Sequence, residues 1–408
     1  MIMNTDIIRT GRWLLVIVLV ALAFRLVSVL SLEPVVQWHD GEEYHRLAGS
    51  LFESRSYLSP EGRPTASWPP GYPVFLSLLG RKVLAVRLLQ AFLGAITVLI
   101  AYSIARRYFG VRKSLLAATL LAIYPLHIYV AGVHYPVVLL TLLLGAIILM
   151  LLDTLEGGSL RKAFFAGLLG GIVALTAASS LLALVLAVVW LIWEGRRRWG
   201  RLSLRLGLVF LIPMVLVVGA WSIRNYIVLG SPVVVSTNGG YNFWIGNYPG
   251  TRATTGNREI PGRVEAELDL RATVSGEVEI ERAFYRKGFE YIKAAPGRFI
   301  TLTLAKALNF WRFYPEPLSR GLRSWEKIAS ILSYGLLLPF GLYWVVRNAR
   351  GKAGVRLVII FFITYTILHA IYISKVRFRL PLDMFLLIAA AGGIGDLAKR
   401  LNLRLLEP

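Results

Sequence analysis

Three carboxylates crowd a short stretch near the start of this chain: Asp40, Glu42 and Glu43, within W-H-D-G-E-E-Y-H-R-L-A from Trp38 to Ala48. An apolar segment long enough to cross a bilayer precedes them and another follows. Carboxylates at a membrane surface are costly unless they are wet or paired. A cluster of them beside aromatic residues therefore suggests a site rather than packing, and proton removal by a general base is the chemistry open to it. Asp40 is the first candidate. D-G-E-E also makes a good first turn, with Asp40 capping a helix over Gly41–Phe52 and with Glu42 and Glu43 as partners of its macrodipole. The loop continues as G-R-P-T-A-S-W-P-P-G-Y-P from Gly62 to Pro73. Cationic candidates lie far downstream in K-V-R-F-R-L-P-L-D, Lys375 to Asp383. Arg377, Arg379 and, more weakly, Lys375 suit a phosphate, because the planar fork of Arg bonds two oxygens at once. Contact with lipid headgroups explains the same cations equally well.

The elements that must hold these residues are membrane helices. The chain has 408 residues, 56% of them hydrophobic, and a mean hydropathy of +0.62, so a soluble class is excluded. Apolar stretches of about 18 or more residues recur, each long enough to span hydrocarbon. A barrel would show short alternating strands instead. The net charge of +22 does not point to nucleic acid, because Arg and Lys gather at helix ends as topology signals and lipid contacts. There is no Cys, hence no disulfide or thiolate metal site. The first apolar segment is too long for a signal-peptide core and reads as a retained helix.

The segments are Trp13–Leu32, Val83–Ala105, Ser114–Val133, Pro136–Leu152, Ala163–Thr176, Ser179–Trp193, Leu204–Ile223, Ile328–Val346, Val355–Ile373 and Leu380–Leu397. With these crossings, Arg9, Arg112, Arg161, Arg198, Arg350 and Arg404 fall on one side, which the positive-inside rule makes cytoplasmic. Phe299–Phe313 is apolar, but crossing there breaks the charge pattern. It reads as a helix at the outer surface, with Lys306, Trp311 and Arg312 suited to the interface; an eleventh crossing is the rival count. The expected organisation is an N-terminal membrane core, 1–224, including a first outer loop at 33–82. An extracytoplasmic loop region follows at 225–327, then C-terminal membrane helices at 328–408. Within the second loop, Ser236–Gly256 is dense in Gly, Asn and aromatics, and reads as turns. Arg263–Lys293 is helical in pattern.

These pieces, in this order, resemble the GT-C superfamily of membrane glycosyltransferases, and bacterial protein O-mannosyltransferase and aminoarabinose-transferase types most of all. The first loop is similar to that family's D-x-x-x-Y…G-x-P-T…P-P-G-Y-P pattern, with Asp40 at the acidic position, Tyr44 at the aromatic one and Pro69-Pro70-Gly71-Tyr72 at the later turn. Arg224 to Gly250 and Lys375 to Asp383 resemble two further family segments. The implied fold is an all-α, polytopic GT-C-like bundle of about ten (ten or eleven) transmembrane helices, whose extracytoplasmic loops carry short amphipathic helices. Two departures stand out. Gly41 follows Asp40 where the family usually has Glu, and His134 and Tyr135 stand where many members carry an acid.

The resemblance implies an inverting transfer of a sugar from a polyprenyl-phosphate donor to a lipid, glycan or protein acceptor. It places the site on the extracytoplasmic side of a multi-pass inner-membrane protein. Asp40 is then the catalytic base. Glu42, Glu43, Tyr44, Tyr72, Arg224, Asn238, Tyr241, Lys375, Arg377 and Arg379 are the expected substrate-binding residues. Aromatics such as Trp68, Tyr72, Tyr241, Trp244 and Tyr248 suit stacking on sugar or isoprenoid, or an interfacial belt. No cofactor is assigned with certainty. A divalent metal is compatible with His39, His134 and a neighbouring Glu, whose spacing is not diagnostic. Membrane lipids are expected partners and nucleic acid is not. A lipid or solute transporter is the rival class, with Arg25, Arg87 and His369 as the ionisable residues inside apolar segments that it would need to use. The absence of Cys makes orientation directly testable. Single cysteines at Ser54 and Thr254 should label with an impermeant maleimide in intact cells, and one at Ser203 should not; the opposite pattern reverses the topology.

Overall fold

The computed structural model describes residues 2–33, 35–36, 39–254, 260–315 and 324–402. Trp38, Gly256 and Arg404 lie outside the described residues. Among the described residues, eighteen α-helices follow one another: α1 Ile2–Leu30, α2 His39–Ser54, α3 Gly71–Ser77, α4 Val83–Ala105, α5 Val111–Ala122, α6 Pro125–Tyr129, α7 Val137–Gly157, α8 Leu160–Thr176, α9 Ser180–Trp199, α10 Leu202–Leu229, α11 Gly239–Asn247, α12 Arg263–Ala272, α13 Glu277–Ala294, α14 Pro296–Phe310, α15 Ser324–Ser330, α16 Leu337–Asn348, α17 Ala353–Ile371 and α18 Val376–Arg400. The same residues hold no strand, only one isolated bridge between Leu58 and Pro64.

Seven of the described helices are long and apolar enough to cross a membrane: α1 from Ile8, α4, α7, α10, the continuous α15–α16, α17 and α18. An eighth comes from α5 and α6, bent by 53° where Pro125 opens α6. Each remaining apolar segment of the expected ten is a helix too. The first, α8, has only 17 residues; the second, α9, ends on Arg196, Arg197 and Arg198. Both pack within the bundle, α8 on α7 and α10, α9 on α10 and α17. The most enclosed helix is α18, packed on α5, α7 and α16. Its Ala389–Gly393 run lets neighbouring backbones come close. Ser203 is buried, its hydroxyl donating to the Gly200 carbonyl; the exposed Arg198 is the better labelling position for that end.

The ionisable residues inside the bundle have structural employment. Arg25 donates to the Ala21, Ala122 and Leu121 carbonyls, which satisfies the end of α5 at its break. Arg87 donates to the Glu33 and Val35 carbonyls and so ties down the chain leaving α1. His369 stacks between Phe310 and Phe378.

Helices α11 to α14 build a cap with its own small core of Trp244, Ile245, Ile260 and Phe284. Lys306 on α14 is not an interfacial cation as expected. It is 2% exposed and donates to the Tyr372 carbonyl at 2.8 Å, and burial, with Arg298 nearby, draws it down to about 7. The apolar residues Ile300, Leu304 and Leu308 form the exposed stripe of the same helix. Glu277, in the first turn of α13, fastens the cap to the first loop. Its carboxylate accepts from the Thr65 hydroxyl at 2.6 Å, the Ala66 amide at 2.8 Å and the Thr237 hydroxyl at 2.6 Å. Glu277→Ala strands these donors and should cost about 1–3 kcal/mol. A lower melting temperature and faster proteolysis around Thr237 are the expected results; an unchanged melt would show that the staple holds nothing.

Candidate active site

The N-terminal ends of α2 and α18 meet. Asp40 is the second residue of α2, inside the first turn rather than at the cap, so the expected capping role gives way to a macrodipole one. Arg377 is the second residue of α18. Its Nη2 lies 2.7 Å from Asp40 Oδ2, and the two side chains are 21% and 23% exposed. Arg377 also lies over the Tyr135 ring, 4.9 Å from its centroid. One carboxylate, one guanidinium and two helix N-termini thus share a small, partly wet space.

Aromatic rings wall the space. Tyr44, one helical turn beyond Asp40, is buried and meets Trp68, Tyr72 and Tyr135 edge to face, at centroid distances of 5.0, 5.2 and 6.1 Å. Burial, then Tyr135 and Asp40, push the Tyr44 hydroxyl well above its ordinary range, so it stays protonated. Tyr72 stands behind this wall: it is fully buried and donates to Gln90 at 2.7 Å. Gln90 in turn donates to the Ala131 and Val133 carbonyls. Trp68, half-buried, is the ring that remains reachable.

Gly41 shows why the acid expected after Asp40 is missing. A Cβ there would lie 2.8 Å from Val36 Cγ1 and 3.0 Å from the His134 carbonyl oxygen. Similarly, a Cβ on Gly71 would lie 2.9 Å from the Thr176 backbone, so the P-P-G-Y turn packs onto the end of α8.

Several expected substrate-binding residues are committed elsewhere. Glu43 is held by Arg46 at 2.9 Å, and Arg46 also donates to the Leu58 carbonyl. Glu42 is 64% exposed and turned toward His39. Arg224 donates to the Thr65 and Tyr57 carbonyls and stacks on Trp221, so it anchors the first loop rather than a substrate. Tyr241 belongs to the cap, bonded to Arg263 and Glu267 and packed on Phe284. Asn238 accepts from Ser236 at the start of α11. Beside it, burial, opposed by the Gly240 amide, raises Glu281 to about 7. Arg379 is the clearest correction. It is 0% exposed, paired with Asp383 at 2.8 Å and bonded to the Phe310 and Arg312 carbonyls. It points into the bundle, away from Arg377. Lys375 is half-buried at the cap of α18.

The His residues do not assemble as a metal set. His134 stacks on His45 instead of meeting His39, with centroids 4.5 Å apart and planes 5° apart. Among the described residues no group of three or more His, Asp or Glu is placed to hold an ion. Two contributors had little signal in the sequence. Tyr135 is one, marked only as standing, with His134, where the family pattern has an acid. The other is Glu277, one acid among many in a charged helix.

The fold has counterparts among solved structures. The chain aligns with the apo form of the Archaeoglobus fulgidus oligosaccharyltransferase over 97% of its own length and 51% of that chain, at a TM-score of 0.60 and 16% identity. It aligns with the same organism's AglB, in complex with an inhibitory peptide and a dolichol-phosphate, over 97% and 51%, at a TM-score of 0.57 and 16% identity. This chain therefore spans about half the length of those chains. ArnT from Cupriavidus metallidurans, bound to undecaprenyl phosphate, aligns over 95% of this chain and 79% of that one, with 16% identity but a TM-score of 0.39, a superposition too loose to argue from. The fold is that of the GT-C membrane glycosyltransferases. Residues 69–221, from the P-P-G-Y turn to near the end of α10, match the sequence model of the family described as dolichyl-phosphate-mannose-protein mannosyltransferase. The resemblance read from the loop motifs is borne out. No curated protein matches the chain by sequence.

The stacked histidines carry a pH consequence. Burial, then the Arg81 charge, lowers His45 to about 4. Burial, then His45, lowers His134 to about 3. Both lie below the ordinary value of about 6.5, so on acidification the unfolded chain takes up protons that the folded one refuses. The stability this gives is complete above about pH 6.5 and is lost as pH falls toward 4 and 3. Melting temperature should drop between about pH 7 and 5. The His45→Phe, His134→Phe double variant, which keeps two stacked rings, should show a shallower drop; an identical profile would rule the pair out as the cause.

Proposed function

We propose that this chain is an inverting glycosyltransferase that moves a sugar from a polyprenyl-phosphate carrier to an acceptor hydroxyl or amine, at the extracytoplasmic face of the inner membrane. The observation that carries the reading is the Asp40–Arg377 pair, a carboxylate and a guanidinium 2.7 Å apart at the loop end of a membrane bundle. The family match over residues 69–221 supports a glycosyl-transfer chemistry. The dolichol-phosphate bound in the matched AglB complex supports a lipid-phosphate carrier.

In this reaction Asp40 takes the proton of the acceptor as its oxygen or nitrogen bonds to the anomeric carbon. The carbon–oxygen bond to the carrier phosphate breaks on the opposite face, and the phosphate leaves with the electron pair. Arg377 and the α18 N-terminus meet the negative charge that develops there. Phosphate leaves well when its charge is met, so no second carboxylate has to protonate it, unlike the alcohol in glycoside hydrolysis. The half-buried Trp68 offers a face to the sugar.

Asp40→Asn keeps the shape of the side chain and removes the base. Single-turnover transfer from a polyprenyl-phosphate sugar should slow by roughly 10²–10⁴-fold, with a nearly unchanged melt. Glu42→Gln and Glu43→Gln should be milder, since Glu42 faces solvent and Glu43 serves Arg46. If Asp40→Asn transfers within a few-fold of the parent, the base is misassigned. If all three variants are active, the loop is not the catalytic centre.

A further inference from the structure

Arg377 and Asp40 have opposite duties in the proposed reaction, yet each is bonded to the other. We propose that the carrier phosphate and the Asp40 carboxylate compete for Arg377, so that donor binding is the event that releases the base. This rests on the glycosyl-transfer reading of the site and adds an order of events to it.

The first ground is geometric. An inverting displacement puts the nucleophile and the leaving group on opposite faces of the anomeric carbon. The base and the cation that holds the leaving phosphate must then be separated by a sugar ring. In inverting glycosidases the paired carboxyl groups stand about 6.5–9.5 Å apart. A contact of 2.7 Å leaves no room for the reaction, so the pair has to part before chemistry.

The second ground is charge. The Nη2 donor of Arg377 is occupied by Asp40, so a phosphate that takes both prongs of the fork has to displace the carboxylate. A phosphate brings at least one negative charge and can accept both prongs of the fork. The neighbouring acids are not rivals for Arg377: Glu43 is engaged by Arg46 and Glu42 is turned toward His39. Of the three clustered carboxylates, Asp40 is the one paired with it.

The third ground is what can move. The backbone that delivers Arg377 is tied down. Asn247 donates to the Ile371 carbonyl, Lys306 to that of Tyr372 and Asn309 to that of Ser374, while the Ser374 hydroxyl donates back to Lys306. Two residues later Arg379 is locked to Asp383. Exchange of partners is therefore a rotation of the Arg377 side chain, not a movement of the loop. Tyr135 supplies a ring on which the guanidinium can rest in either state. After transfer, the return of Asp40 to Arg377 helps to expel the used carrier phosphate.

Binding of undecaprenyl phosphate to the purified chain in nanodiscs tests this without any turnover. Asp40→Asn should bind the lipid about three- to tenfold tighter, the size expected for loss of a competing, partly exposed ion pair. Arg377→Gln should weaken binding, and on that background Asp40→Asn should bring no gain. Glu42→Gln removes the same charge nearby and should change nothing. If Asp40→Asn binds no tighter while Arg377→Gln binds more weakly, the exchange is overturned and the phosphate role of Arg377 stands. Equal tightening by Glu42→Gln also overturns the exchange, in favour of a general charge effect. If Arg377→Gln leaves binding unchanged, the phosphate reading fails and the exchange fails with it.

Discussion

The Arg379 guanidinium, cut off from water, is the fixed point on which the site depends. Asp383 neutralises it, the Phe310 and Arg312 carbonyls accept its remaining donors, and Tyr124 donates to the far oxygen of Asp383. Those partners belong to α18, to the end of α14 and to the break between α5 and α6. A buried charge tolerates no missing partner, since removing one costs about 3–5 kcal/mol. The network therefore sets the rotation of α18 about its own axis, and that rotation aims Arg377 at Asp40.

The same constraint recurs around the site. In an apolar bundle every carbonyl freed by a break or a helix end has to be answered inside the protein. Arg25 answers α5, Arg87 the exit of α1, and Arg224 the first loop. Glu277 does for amide and hydroxyl donors what these do for carbonyls. A transporter reading needed ionisable groups inside the bundle for substrate. Arg25, Arg87 and the Arg379–Asp383 pair are instead occupied with holding helices in register.

Much of the bundle was legible because membrane helices declare themselves by length and apolarity. Val83–Ala105 was read to the residue, and α8 and α9 emerged with the turn at Ala177–Ser179 between them. The pairing of Arg377 with Arg379 was misread for a definite reason. The last helix was expected to begin at Leu380, which leaves both Arg residues in a loop and free to converge. It begins at Val376. At about 100° per residue, positions two apart on a helix point in nearly opposite directions. One Arg then faces the loop space and the other faces the core. Tyr241 and Arg224 failed for a different reason: an aromatic or a cation in a loop is equally good for substrate or for fastening the loop. Only three-dimensional neighbours such as Phe284 and Thr65 decide between them.

The two departures from the family pattern turn out to be one local arrangement. Gly41 is small because the His134 carbonyl presses on it. His134 is there because the loop before α7 brings it onto His45 and brings Tyr135 under Arg377. Where the family pattern has further acids, this chain thus has a close backbone contact and a neutral ring. That lowers the negative charge around Asp40 and leaves it, among the carboxylates of the first loop, as the one paired with Arg377. On the proposed reaction, a phosphate entering such a place would meet Arg377 and the α18 N-terminus, and the acid it would displace is Asp40.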